Sequence, residues 1–205
     1  AGKIAVDIAA LGADSYALSA HKLAGPQGIG ALVVREPAAI GRLLHGGGQE
    51  RGLRAGTENM PYIVGLAKAL ELAYADPGHA ERVRALRDRL IAGVLASVPD
   101  VHLTGHPTQR MPNSASFVFH GIEGESILLN LDLLGVAASS GSACTSASLE
   151  PSHVLLAMKL PVEICHGSLR LTLGKDNTAE DVDYVVSILP GIVEKLRAMS
   201  PMYHR

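Results

Sequence analysis

Residues 17–34, ALSAHKLAGPQGIGALVV, leave an apolar run through Ser19, His21 and Lys22, cross a glycine- and proline-rich turn, and enter a second apolar run. Short apolar runs bounded by Gly and Pro read as strands. Working back, residues 3–22 predict short β-type runs separated by a Gly-Ala-Asp turn, and residues 28–36 a further strand ended by Pro37. Ser19 and His21 alternate along the predicted strand, so both can point to one side at its carboxyl end, where open α/β sheets bind ligands. A hydroxyl, an imidazole and an amine together suit an anionic phosphate. Lys22 then has two readings: a solvated lysine at a strand end, or an amine whose pKa neighbouring cations lower so that it can form a Schiff base. The glycines that follow do not fall in GxGxxG order, so no dinucleotide site is expected.

Downstream, residues 43–60 form a glycine-rich polar loop too long to be a simple connector. Its glycines allow close backbone approach, while Arg51, Arg54 and Thr57 offer anion-binding groups; the plainer reading is a flexible link. Residues 61–75 carry helical periodicity with Pro61 in the first turn, and Asp76-Pro77-Gly78 stops the pattern. That stop is the predicted domain boundary, giving units 1–77 and 78–205. A charged helix over 79–98 follows. Then come strands at 101–105 and 114–121, a helix at 123–135, a short strand at 136–138, a small-residue loop, a short helix near 152–160, a strand at 167–174 and a long final helix from 178. Thr178 and Asp181 have capping-box spacing. Strands alternating with helices predict an α/β fold. Residues 1–77 hold too few elements to cover both faces of a parallel sheet, so the chain is expected to be the later part of something larger.

Composition narrows the function. The 205 residues carry 18 basic and 20 acidic side chains, a formal net charge of −2, with no basic block, which disfavours nucleic acid as a direct ligand. No signal pattern or membrane-length apolar run is present, so a soluble cytoplasmic protein is expected. Nine histidines are present, yet none has HExxH or CxxC-type partners, and no metal site is expected.

Two cysteines do not suggest a disulfide scaffold, and their surroundings differ. Cys144, in SSGSACTSAS, has only Ser, Gly, Ala and Thr around it, a setting for a mobile nucleophile as much as for a packed thiol. Cys165, in VEICHGSLR, reads as structural. Arg170, in SLRLTLG, is flanked by leucines and is costly to bury without an anion: either a structural acid or a substrate carboxylate clamped by the guanidinium.

SAHK, HGGGQERGLRAGT, SSGSACTSASLEPSHVL and SLRLTLG, in this order, resemble the pyridoxal-phosphate-dependent cysteine desulfurases of the NifS/IscS type, over residues 1 to about 199. The resemblance implies the C-terminal part of a type I PLP-dependent transferase fold. Residues 1–77 would end the large cofactor domain, and 78–205 would form a small α/β domain carrying the Cys144 loop. It implies that Lys22 holds pyridoxal 5'-phosphate as a Schiff base and moves substrate protons. Ser19 and His21 would contact the cofactor phosphate, and Thr57 would reach that phosphate from the partner of a homodimer. Arg170 would grip the carboxylate of L-cysteine, and Cys144 would take its sulfur as a persulfide. The long Cys144 loop resembles the branch that serves iron–sulfur scaffolds. The resemblance also implies an N-terminal half outside these residues, with a histidine stacked on the cofactor ring and an aspartate on its nitrogen. Asp7 is not that aspartate. Related readings are a PLP aminotransferase or selenocysteine lyase, which would not need Cys144, and a non-catalytic half-protein that dimerises or docks a sulfur acceptor.

Overall fold

The structure, a computed structural model, describes residues 1–37, 40–140 and 151–203. The chain divides into two compact units, Ala1–Pro77 and Gly78–Arg205.

In the first unit, β1 (Ser15–Ser19) and β2 (Gly30–Val34) pair antiparallel, with Ser15 opposite Val34 and Ser19 opposite Gly30. Residues 3–8 form no strand, contrary to the alternation of their apolar side chains. Asp7 accounts for this. Its Oδ1 accepts the backbone N–H groups of Ala9 and Ala10 at 2.9 and 3.0 Å, and its carbonyl accepts that of Leu11. An aspartate that bonds its own downstream backbone offers the chain a turn in place of a ladder.

Helix α1 (Met60–Tyr74) starts at Asn59, whose side chain accepts the Tyr62 N–H, and Pro61 occupies its first turn, where a missing N–H costs nothing. Its Gly65 and Ala69, four residues apart on one face, meet the segment after β1. A β-carbon on Gly65 would lie 2.6 Å from Pro26 Cγ, and one on Gly25 would lie 2.9 Å from Ala69 Cβ. Small residues on both sides let helix and turn approach closely. Ala20, fully buried, is the centre of this contact.

The second unit is a three-stranded antiparallel sheet with helices on both faces. Its strands β3 (Val101–Leu103), β4 (Ser114–Phe119) and β5 (Ser168–Thr172) lie in the order β3-β4-β5. Alternation sends Ala115, Phe117, Phe119, Leu169 and Leu171 to one face. There they pack with Val83, Leu90 and Val94 of α2 (His79–Ser97), Ile127 and Leu131 of α3 (Gly124–Leu133), and Val182, Leu189 and Val193 of α6 (Ala179–Met199). On the other face, Val118 packs with Leu155 of α4 (His153–Ala157) and Cys165 of α5 (Val162–Cys165). The predicted strand at 136–138 is reduced to a single bridge, Ser139 to Arg170. The capping box forms as its spacing predicts: Asp181 N–H donates to Thr178 Oγ1 at 3.3 Å, and Thr178 N–H to Asp181 Oδ2 at 3.0 Å. No helix among the described residues is long and apolar enough to cross a membrane.

Candidate functional site

The strand β1 stops at Ser19, not beyond Lys22. Ser19 is still extended (φ −118°, ψ 132°), but residues Ala20–Leu23 close a 3₁₀ turn that carries His21 and Lys22. The Ala20 carbonyl accepts the N–H groups of Ala24 and Gly25, and Ala24 takes a left-handed φ of 58°. The expected strand alternation of Ser19 and His21 is therefore replaced by a turn, and the reason is the close packing of buried Ala20 under α1. The turn still gathers the three groups. Ser19, His21 and Lys22 are all exposed, and among the described residues none of their side chains makes a hydrogen bond or ion pair.

Thr57 is exposed on the loop that leads into α1, two residues before the Asn59 cap. The loop is an organised turn, not a slack connector. Glu50 (φ 50°), Arg51 (φ 57°) and Gly52 (φ 80°) are successively left-handed, a conformation that costs a non-glycine residue about 1 kcal/mol or more. Two side chains hold it: Arg42 Nε donates to the Gly52 carbonyl at 2.5 Å, and Gln49 Oε1 accepts the Gly56 N–H at 3.2 Å.

Arg170 belongs to the second unit. It lies on the sheet face opposite Leu169 and Leu171, beside Ser116 of β4 in the ladder register, and is only half-buried. The expectation of an arginine enclosed by leucines is corrected by strand alternation, since neighbours in sequence point to opposite faces. Its Nη2 donates to Ser139 Oγ at 3.3 Å. Ser139, which sequence reasoning passed over, was hidden in a run of small residues; only the non-local bridge singles it out. Cys144 lies outside the described residues. Cys165 is buried, its Sγ 3.7 Å from the Leu160 carbonyl oxygen, and burial followed by the nearby Glu163 carboxylate pushes its thiol pKa up. That is the inert thiol the sequence predicts.

A cleft of about 650 Å³ in the second unit is lined by Asp100, His120, Glu123, Glu163, Met199 and Tyr203 among others, and by none of Ser19, His21, Lys22, Thr57, Ser139 and Arg170. The residues of the Lys22 turn instead offer a primary amine for an aldehyde, with a hydroxyl and an imidazole for a phosphate. That donor set fits a phosphorylated aldehyde cofactor.

The sequence model of the aminotransferase class-V family matches residues 1–185. The chain belongs to this family. Among class-V relatives, the cysteine desulfurase IscS of Methanosarcina thermophila is 55% identical over 98% of this chain and half of its own length. A solved NifS-like protein is 36% identical, with a TM-score of 0.83 over 95% of this chain and 50% of its own. The structure titled SspA in complex with cysteine is 28% identical, with a TM-score of 0.66 over 86% of this chain and 48% of its own. The α/β fold is thus the class-V fold of the NifS-like proteins, and the chain spans about half the length of the curated relatives it matches.

Proposed function

We propose that the protein acts as a cysteine desulfurase, converting L-cysteine to L-alanine and passing the sulfur to an acceptor such as an iron–sulfur scaffold. The observation that carries this reading is the Lys22 turn, which presents an amine, an imidazole and a hydroxyl together at the surface of the first unit. The identity to cysteine desulfurases over 98% of the chain supports it.

In this reading the first unit ends a large cofactor domain and the second is a small domain. Pyridoxal 5'-phosphate, when bound, supplies the electron sink for chemistry at the substrate's α and β carbons. Ser19 Oγ and His21 would hold its phosphate, and Thr57 would reach the phosphate of the partner subunit in a homodimer. Lys22 Nζ would hold the cofactor through its carbonyl and would carry protons to and from the substrate carbons. Arg170 orients L-cysteine by its carboxylate. Cys144, as thiolate, attacks the substrate sulfur: a new S–S bond forms on Cys144 as the substrate Cβ–S bond breaks. The electron pair of that bond stays with the substrate, whose carbon takes a proton to become alanine. The remaining half of the relatives' length would supply an N-terminal half that stacks on the cofactor ring and pairs with its nitrogen. The protein works in the cytoplasm.

The test is alanine and sulfide release from L-cysteine in the presence of pyridoxal phosphate and a thiol reductant, with the visible spectrum recorded on the same sample. Loss of the cofactor band in Lys22→Ala, and loss of turnover in Cys144→Ser with the band intact, are expected. Undiminished cysteine turnover in Cys144→Ser would overturn the desulfurase reading in favour of another class-V reaction. A sample that stays colourless with added cofactor would overturn it in favour of a docking role.

A further inference from the structure

We propose that Ser139 is a positioning residue that sets the Arg170 guanidinium for a substrate carboxylate, an inference that rests on the reading of Arg170 given above. Three contacts join this one pair. Ser139 N–H donates to the Arg170 carbonyl at 3.2 Å, Arg170 N–H donates to the Ser139 carbonyl at 2.6 Å, and Arg170 Nη2 donates to Ser139 Oγ at 3.3 Å. The two backbone bonds make Ser139 a one-residue extension of the sheet, on the edge of β5 away from β4. The Ser139 Cβ is thereby fixed relative to the Arg170 backbone, which puts its hydroxyl within reach of the guanidinium.

The consequence is orientational. An arginine side chain rotates about four bonds and loses about 2 kcal/mol of rotamer freedom when it is held. Ser139 Oγ supplies one anchor for the guanidinium plane. A hydroxyl anchors the group without neutralising it, whereas an aspartate in the same place would compete with an anionic ligand for it. On the opposite side of β5, Ser116 stands level with Arg170, but its hydroxyl already accepts the Thr104 hydroxyl at 2.8 Å. Ser139 Oγ is an acceptor of the guanidinium.

The experiment compares Ser139→Ala, Ser139→Thr and Ser139→Val in the pyridoxal-phosphate-loaded holoenzyme, with Arg170→Lys as reference. Thr and Val have nearly the same shape, so the Thr/Val pair isolates the hydroxyl. Expected for Ala and Val is a rise in KM for L-cysteine of about tenfold, the scale of one hydrogen bond to a charged group, with kcat within about twofold. Inhibition by L-alanine should weaken by the same factor and inhibition by cysteamine, which lacks the carboxylate, should not; Thr should restore the parent values. If Arg170→Lys raises KM while Ala and Val leave it unchanged, the inference falls and the reading of Arg170 stands. If Arg170→Lys also leaves KM unchanged, the reading of Arg170 falls with it. Equal weakening of L-alanine and cysteamine would mean general distortion and would overturn the inference too.

Discussion

Gly65 of α1 lies against Pro26, so that a β-carbon on residue 65 would stand 2.6 Å from Pro26 Cγ. That contact, with Ala69 against Gly25, seats the turn that carries Lys22. Gly65→Ala tests it. Alanine is the better helix former by about 1 kcal/mol. The clash falls on a proline ring, which cannot swing aside as a flexible side chain would, and overpacking of this kind costs about 1–3 kcal/mol. The clash should win, lowering the urea midpoint. A variant as stable as the parent would show that the turn yields without cost.

Much of this arrangement was legible before the structure. The periodicity of α1, α2 and α6, the Pro61 start and the Thr178–Asp181 box are local signals, and local signals survive into the fold. The failures have local causes too. Residues 3–8 alternate like a strand, but the Asp7 carboxylate captures two downstream N–H groups. The strand through Ser19 ends early because Ala20 is buried under α1, a tertiary contact that nothing in SAHK announces. Both sheets are antiparallel, a strand direction that the α/β reading did not specify. Arg170 between two leucines looked enclosed, yet it shares a face with Ser116 and Val118. Ser139 was invisible because its role depends on register with a strand more than thirty residues away.

Arg197, buried on α6, donates to three carbonyls: Pro99 at 2.7 Å, Asp100 at 2.8 Å and His120 at 3.0 Å. It also lies 4.5 Å from the centroid of the Tyr203 ring, whose hydroxyl donates to Asp100 Oδ2 at 2.6 Å. This one guanidinium ties the start of β3 and the end of β4 to α6. Arg197→Ala leaves the Pro99 and His120 carbonyls without this donor, while the Asp100 carbonyl keeps the His120 N–H at 3.1 Å, and should cost about 3 kcal/mol or more. Arg197→Lys should recover only part, because an ammonium cannot match a planar fork. Both are read by urea unfolding; a loss under about 1 kcal/mol for Ala would show that water replaces the guanidinium at the carbonyls.

The two thiols should separate by reactivity. Cys165 is buried, and its pKa is pushed up by burial first and by the Glu163 carboxylate second. A thiol reacts through its thiolate, so Cys165 should resist a disulfide reagent at pH 8 in the native protein and react only after unfolding. In the Cys144→Ser variant the native protein should then show no fast-reacting thiol. Rapid modification of that variant would place Cys165 within reach of solvent.

Acid sensitivity should come in two stages, and the first belongs to His120. Its Nε2 is buried without a hydrogen-bond partner among the described residues, and its ring meets that of His102 edge-on at 4.8 Å between centroids. Burial lowers its pKa most, His102 next, with Asp100 opposing and Arg197 adding. With the folded pKa below the unfolded one, the unfolded chain takes up the proton first as pH falls. Stability is therefore full above about pH 6.5, the unfolded value, and declines below it towards the folded value. The second stage comes from Asp100, Glu180 and Asp181, whose pKa values are all lowered, Asp100 first by the Tyr203 hydroxyl and Asp181 first by the Thr178 N–H. Depressed carboxylates contribute above their unfolded values and lose that contribution as pH falls through the folded ones, below the usual carboxylate range. The urea midpoint followed from about pH 8 to about pH 3 should begin to fall below about pH 6.5, and His120→Gln should flatten that limb while leaving the steeper loss below about pH 4 in place. The Arg197 bond to residue 120 is to its backbone carbonyl and survives the substitution, so a flattened limb reports the imidazole. An unchanged slope in His120→Gln would assign the first stage to another group.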